Sequence, residues 1–178
     1  MSINRVFGGI LRSYPVIMMY STIIMYILSS DLDFLYLLLV LLVGEGINYN
    51  LKYNFFKPIF GKDIPLLGRG ARPKGAKQCG LFITTKEKKL TSYGMPSGHS
   101  QNSALFLVFL ILKILSENKL DSHSILKILF LAFWSFSVMI SRWIFNCHTI
   151  GQILVGGSLG SIIGYSAFKY KDLLLNNL

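Results

Sequence analysis

The sequence predicts an all-α fold, a polytopic membrane bundle of about five transmembrane helices in one domain covering residues 1–178, and three observations carry that reading. Hydrophobic residues fill 52% of the 178 positions, and mean hydropathy is +0.52, too apolar for an ordinary soluble domain. Apolar runs recur near the ~20 residues needed to cross a bilayer. The formal charge of +10 gathers at one end of those runs.

The first run, 14–30, begins with Tyr14-Pro15. A cleaved leader is the alternative for residues 1–30, but the apolar stretch is long and no clear small-x-small site precedes a soluble domain, so it reads as a helix. The second run, 32–51, follows the tight turn Ser30-Asp31-Leu32-Asp33. The third, 97–116, opens on Pro96-Ser97-Gly98, residue types suited to a helix start. The fourth and fifth, 125–145 and 150–168, are joined by the short segment 146–149. On the last, Gly156, Gly160 and Gly164 recur every four residues, the spacing of close helix packing.

Threading these spans up and down places residues 1–13, the basic loop 52–96 and the join 146–149 on one face, here the active face. The other face receives 31–33, 117–124 and 169–178. The active face carries Arg5, Arg12, Lys52, Lys57, Lys62, Arg69, Arg72, Lys74, Lys77, Lys86, Lys88, Lys89 and Arg142 against Glu45, Asp63 and Glu87. The opposite face balances Lys113, Lys119, Lys127, Lys169 and Lys171 against Asp31, Asp33, Glu117, Asp121 and Asp172. The whole net charge therefore lies on the active face. That bias is read either as the positive-inside rule or as attraction for an anionic head group. Nucleic acid is disfavoured as a partner, because no binding module accompanies the basic residues.

The threading delivers the chemistry-bearing residues to one side. At the start of the third helix, Gly98 lets an anion approach backbone N–H groups that have no intrahelical partner, with His99 beside it. The plainer reading is that Ser97 or Ser100 caps the helix. Arg142, in an apolar run, offers a planar fork of donors that suits phosphate oxygens and calls for a partner. His148, six positions on, has an imidazole nitrogen able to attack phosphorus. The plainer reading of the pair is a snorkelling arginine and an interfacial histidine. Glu45 either pairs with a basic site residue or lies near the interface. Cys79 and Cys147 share the active face and could form a disulfide if that face is oxidising; two free thiols are the default expectation without geometry.

In this order, Arg72-Pro73, Pro96-Ser97-Gly98-His99 and Ser141-Arg142 with His148, the motifs resemble those of the type 2 phosphatidic acid phosphatase (PAP2) superfamily, whose fold is shared with vanadium haloperoxidases. The family pattern is Lys-x6-Arg-Pro, Pro-Ser-Gly-His and Ser-Arg-x5-His-x3-Asp. The resemblance covers about residues 44–165. Gln101 after the Pro-Ser-Gly-His-Ser run, and Gln152 in place of the last Asp, make the chain most similar to the dolichyl diphosphatase branch.

The resemblance implies that His148 is the nucleophile, and that His99 protonates the leaving oxygen and then activates water. Arg72 and Arg142, with Ser97 and the Gly98 N–H, would hold the phosphoryl oxygens. No metal or other cofactor is implied, and the sequence has no spaced Cys, His and carboxylate cluster for a catalytic cation. Two departures stand out. Pro65 occupies the position of the family lysine, so Lys52 takes its place, with Lys62 or Arg69 as substitutes; the segment from Tyr53 to about Gly68 reads as an insert at the membrane interface. Gln152, one turn from His148, keeps an acceptor for its Nδ1–H but not the negative charge.

The function expected is hydrolysis of an isoprenoid lipid diphosphate, dolichyl diphosphate-like, through a phosphohistidine, with membrane lipids as surroundings. Alternatives are a broad lipid phosphate phosphatase of the phosphatidate type and a catalytically silent lipid-binding protein. Vanadate is expected to inhibit by occupying the phosphate site. The resemblance implies an endoplasmic reticulum membrane with a lumenal site, against the cytoplasmic face favoured by the charge rule.

Overall fold

The computed structural model describes residues 3–65, 68–76, 79–80, 92–117 and 120–175, with residues 3–5 as backbone alone. Lys77, Lys86, Glu87, Lys88, Lys89, Lys119 and the side chain of Arg5, all counted in the charge division, lie outside that description. In chain order the helices are α1 (Ile3–Ser29), α2 (Leu32–Asn50), α3 (Lys57–Phe60), α4 (Gly98–Glu117), α5 (Ser122–Ile144) and α6 (Ile150–Leu175). Five stretches among them are long and apolar enough to cross a membrane. The all-α membrane bundle is thus observed.

Helix α4 is its axis. Residues 100–107 are buried without interruption, and Leu105, Phe106 and Phe109 form the core with Leu37 and Leu41 of α2 and Val138 of α5. Its closest neighbour is α6, for a reason visible in the glycines. A Cβ on Gly156, Gly160 or Gly164 would collide with the carbonyls of Ser97, Gln101 and Leu105 in turn. Only hydrogen side chains allow the two backbones to approach so closely. The outer faces are apolar instead: Leu126, Leu129, Phe130, Phe133 and Phe136 of α5 are exposed, as lipid-facing residues should be.

Two boundaries differ from expectation. Helix α1 does not begin at Tyr14 but at Ile3, running through Pro15. Leu11 and Tyr14 are buried while Val6, Phe7 and Ile10 stay exposed, so residues 3–13 continue the same apolar helix, and the proline removes one backbone donor without ending it. Helix α2 does not stop near Lys52. A π-helical segment, Leu51–Phe56, carries it into α3, and the polar residues that resembled an end are satisfied along the helix: Asn54 Nδ2 donates to Asn50 Oδ1 (2.8 Å) and Asn50 Nδ2 to the Gly46 carbonyl (2.9 Å). The first half of the insert is therefore helix, closed by Gly61 at φ 61°, with a short antiparallel pair after it, β1 (Asp63–Ile64) and β2 (Gly68–Arg69).

At the end away from that hairpin, Lys113 is buried among carboxylates. Its Nζ lies 2.6 Å from Asp31 and 2.8 Å from Asp33, with Glu117 also bound. Lys171 Nζ reaches Asp33 at 2.7 Å. These contacts bring residues 31–33, 117 and 171 to one end, as the threading requires.

Candidate active site

The site is built around the turn between α5 and α6. Asn146, in the left-handed region at φ 52°, reverses the chain; asparagine tolerates that conformation better than other L residues. The N–H groups of Cys147 and His148 both donate to the Arg142 carbonyl (2.9 and 3.1 Å), which fixes His148 beside the last turn of α5. Helix α6 then starts with a capping box. The Gln152 N–H donates to Thr149 Oγ1 and the Thr149 N–H donates back to Gln152 Oε1, each at 3.3 Å, the reciprocal pattern of a Thr-x-x-Gln helix start.

Gln152 does more than cap. Its Oε1 also accepts from His148 Nδ1 (2.9 Å), and its Nε2 donates to the carbonyls of Arg69 (2.6 Å) and Ala71 (2.8 Å). An aspartate has no donors for those two carbonyls. The glutamine thus ties the histidine to the strand that leads to Arg72. Its position also requires Gly94, where a Cβ would strike the amide.

The bonds at His148 define its tautomer. Nδ1 carries the proton, since a carbonyl oxygen only accepts, so Nε2 holds the lone pair, and Arg72 Nη1 lies 3.2 Å from it. Burial, and then the charges of Arg72, Lys52 and Arg142, hold the imidazole well below its ordinary pKa. A neutral imidazole with its lone pair on Nε2, in the field of three cations, is the form a nucleophile needs.

Three of the other candidates, Arg72, Lys52 and Arg142, act on His148 through their charges. Arg72 donates from Nε to Ser92 Oγ (2.9 Å) and from Nη1 to the Cys147 carbonyl (3.0 Å). Arg142 is fully buried; Nη2 donates to the Cys79 carbonyl (2.9 Å), while Nε and Nη1 have no partner among the described residues. Lys52 lies in the π-helical segment, half-buried, and its charge acts on both His148 and Arg72. Lys62 is exposed, and Arg69 serves the site through its backbone. His99 donates from Nε2 to the Arg12 carbonyl (2.9 Å), leaving the lone pair on Nδ1, and it lies in the field of Arg142, Arg72 and Lys52.

Ser97 has a different place from the one its motif suggests. It is fully buried, and its Oγ accepts from the N–H and hydroxyl of Ser100 (3.4 and 2.9 Å). It caps α4 and leaves the first amides, at Gly98 and His99, without intrahelical acceptors. Gly98 packs on Asn48, whose Nδ2 donates to Gln101 Oε1 (2.8 Å); Gln101 Nε2 donates in turn to the Gly44 carbonyl (2.6 Å). Glu45 accepts from Asn102 Nδ2 (2.6 Å) and has no ion pair among the described residues.

The expectation of free thiols is corrected. Cys79 and Cys147 form a disulfide, with Cα atoms 5.5 Å apart. The fold brings the basic loop onto the α5–α6 turn, a proximity hidden by 68 intervening positions. Each arginine donates to one half-cystine carbonyl, Arg72 to Cys147 and Arg142 to Cys79. Sequence reasoning also missed Arg12; its only signal was a positive charge near the active-face end of an apolar run.

Comparison with known proteins agrees with this geometry. Residues 33–174 match the PAP2 superfamily. The chain belongs to that superfamily. Dolichyldiphosphatase 1 of Dictyostelium discoideum is 36% identical over 83 residues, covering 45% of this chain and 36% of that protein. Dolichyldiphosphatase of Saccharomyces cerevisiae is 36% identical over 77 residues, covering 42% and 32%. The matched segments thus span about a third of these curated relatives. A transmembrane PAP2 type phosphatidylglycerolphosphate phosphatase from Bacillus subtilis has a similar fold, with a TM-score of 0.61 at 21% identity over 89% of this chain and 67% of that one. The PAP2 motifs of this chain meet at one end of the bundle. Its acidic trio, Asp31, Asp33 and Glu117, lies at the other and encloses the Lys113 ammonium.

Proposed function

We propose that this PAP2 protein is a membrane phosphatase that hydrolyses an isoprenoid lipid diphosphate to the monophosphate and orthophosphate. The observation that carries this reading is the buried Arg142 guanidinium, with two nitrogens that have no partner among the described residues, beside a neutral His148. Buried donors and buried charge are costly unless an anion completes them. A phosphoryl group has the oxygens to do so.

In the first step His148 Nε2 attacks the terminal phosphorus, the bond to the bridging oxygen breaks, and the lipid monophosphate leaves with the electron pair. Arg72, moving from Nε2 to the incoming oxygens, would with Arg142, Lys52 and the Gly98 N–H neutralise charge as it develops. His99, which takes up a proton at Nδ1 as the acidic substrate binds, gives that proton to the leaving oxygen and is left with its Nδ1 lone pair. In the second step water attacks the phosphohistidine, its proton goes to His99 Nδ1, the P–N bond breaks and orthophosphate departs. Gln152 holds the first imidazole throughout, and the Arg12 carbonyl holds the second.

An apolar groove of about 480 Å³ supports a lipid substrate. It runs from Tyr14, two residues from Arg12, past Met18 and Trp134 to Lys113 at the other end. A polyprenyl tail would lie there with its head group in the site. The dolichyldiphosphatase relatives favour dolichyl diphosphate among such lipids. The disulfide supports an active face in an oxidising compartment, such as the lumen of the endoplasmic reticulum, since disulfides are rare on the cytosolic side.

Purified protein in detergent with EDTA is expected to release phosphate from dolichyl diphosphate, and His148→Ala to abolish the release. Turnover surviving that substitution would overturn the mechanism, and preference for phosphatidate would select a broader lipid phosphatase. Binding of either lipid without turnover would identify a silent lipid-binding protein. Loss of activity with dithiothreitol, alongside lumenal labelling of cysteines introduced within 74–90, is the expected result for sidedness.

A further inference from the structure

We infer that Arg12 of α1 is a specificity-determining residue that binds the phosphate leaving with the lipid, and so selects diphosphates over monophosphates. The inference rests on the lipid-diphosphate reading above, and it assigns the first helix a part in the site.

Arg12 touches the imidazole given to the leaving oxygen: its carbonyl accepts from His99 Nε2 at 2.9 Å. Its guanidinium lies over the Phe145 ring, 4.3 Å from the centroid. Phe145 caps α5, three residues after Arg142, and packs against the Cys79–Cys147 disulfide. The charges of Arg12 and Arg142 act on each other, and no carboxylate pairs with either among the described residues. Two guanidinium groups held in mutual repulsion are stabilised by an anion between them. An arginine that only snorkels keeps its donors in water. Arg12 is half-buried, and its Nε is out of contact with solvent and without a hydrogen-bond partner among the described residues.

The chemistry explains why a second cation is needed on this side. When His148 attacks the terminal phosphorus of a lipid diphosphate, the departing lipid phosphate carries away the electron pair of the P–O bond and gains one negative charge. A guanidinium meets that charge directly through the phosphate oxygens. A lipid monophosphate loses an alcohol, which offers one oxygen and takes a proton from His99. Arg12 therefore contributes to the first reaction and not to the second.

The test compares initial rates of the full chain in detergent on a polyprenyl diphosphate, the matching monophosphate and phosphatidate, for wild type, Arg12→Gln and Arg12→Lys. Arg12→Gln is expected to lower kcat on the diphosphate about 10- to 100-fold while monoester hydrolysis stays within about threefold, the scale for removing one transition-state donor. Arg12→Lys is expected to recover most of the loss. Equal falls on all substrates would make Arg12 a support for His99 and overturn the inference, as would unchanged rates; in either case the diphosphatase reading survives through the wild type. Wild-type turnover of phosphatidate with none of the diphosphate would overturn both. If Arg12→Gln does not survive purification, inhibition decides: inorganic diphosphate must inhibit wild type more tightly than orthophosphate, Arg12→Met must narrow the gap, and Arg12→Lys must largely keep it. Equal inhibition of wild type by the two anions would sink the inference.

Discussion

The two ends of the bundle bury positive charge in opposite ways. At one end Lys113 and Lys171 are each held by carboxylates, from Asp31 and Asp33 at the α1–α2 turn and from Glu117 and Asp172. At the other, Lys52, Arg72 and Arg142 act on two histidines, Arg12 acts on Arg142, and none of the four has an ion pair to an acid among the described residues. A charge neutralised by the chain itself ties helices together. A charge left without its counterion is a place for an anion to enter, and the difference separates the structural end of this protein from the chemical one.

The sharpest way to break that comparison is to remove one cation from each end. Arg142→Met is expected to lower turnover about 10³-fold, the upper range for loss of a transition-state donor. In the absence of phosphate its thermal stability should fall little, because relief of a buried charge without a counterion offsets the lost hydrogen bond to the Cys79 carbonyl. A large loss of Tm with little loss of kcat would show that Arg142 is structural.

Lys113→Met should do the reverse. It leaves Asp31, Asp33 and Glu117 facing one another, and breaking a buried pair by removing one partner costs about 3–5 kcal/mol. The expected result is a lower unfolding temperature in detergent, with kcat per folded molecule within about twofold. A catalytic defect in the folded fraction would mean that the two ends are coupled.

What the sequence made legible divides along the same line. The apolar runs and the order of Arg72-Pro73, Pro-Ser-Gly-His and Arg142…His148 were enough to thread the helices and to bring both histidines to one end. These signals are local: run length and fixed spacing. The π-helical continuation past Lys52 was hidden because the apolar run ends at Leu51, and the hydrogen bonds of Asn50 and Asn54 along the helix are not visible in spacing. The disulfide and Arg12 depend on which loop and which helix end meet across the bundle, and spacing carries no such information. Ser97 shows that a motif does not specify where a hydroxyl points: here it caps α4.

Gln152 offers a smaller and more specific test. Gln152→Glu keeps the acceptor for His148 Nδ1 but turns the donors at Arg69 and Ala71 into a carboxylate against two carbonyls. Repulsion there should shift the strand carrying Arg72, and kcat is expected to fall about 10-fold to 100-fold, in the range for disturbing a supporting contact of a reactive group. A fully active Gln152→Glu would show that acceptance at Nδ1 is all the site requires.

The last and smallest effect separates the two ends by pH alone. Burial and three neighbouring cations depress the pKa of His148 well below 6.5. The unfolded chain therefore binds a proton below that value which the folded chain refuses, so this residue's contribution to stability is complete above pH 6.5 and declines as pH falls toward its folded pKa. At the opposite end burial raises the pKa of Asp31, but hydrogen bonds from Lys113 and the Asp33 N–H outweigh it and hold the carboxyl below its ordinary value of 3.8. Its contribution is complete above that value and lost only in stronger acid. A melt series should then show a shallow loss beginning near pH 6.5 that comes from the active end, and a second loss below about pH 4 that Lys113→Met removes. Through the first of these, spectra of 13C-labelled histidine should still report a neutral His148. A His148 signal titrating at or above 6.5 would mean that the cations around it are already neutralised, and the contrast between the two ends would fail.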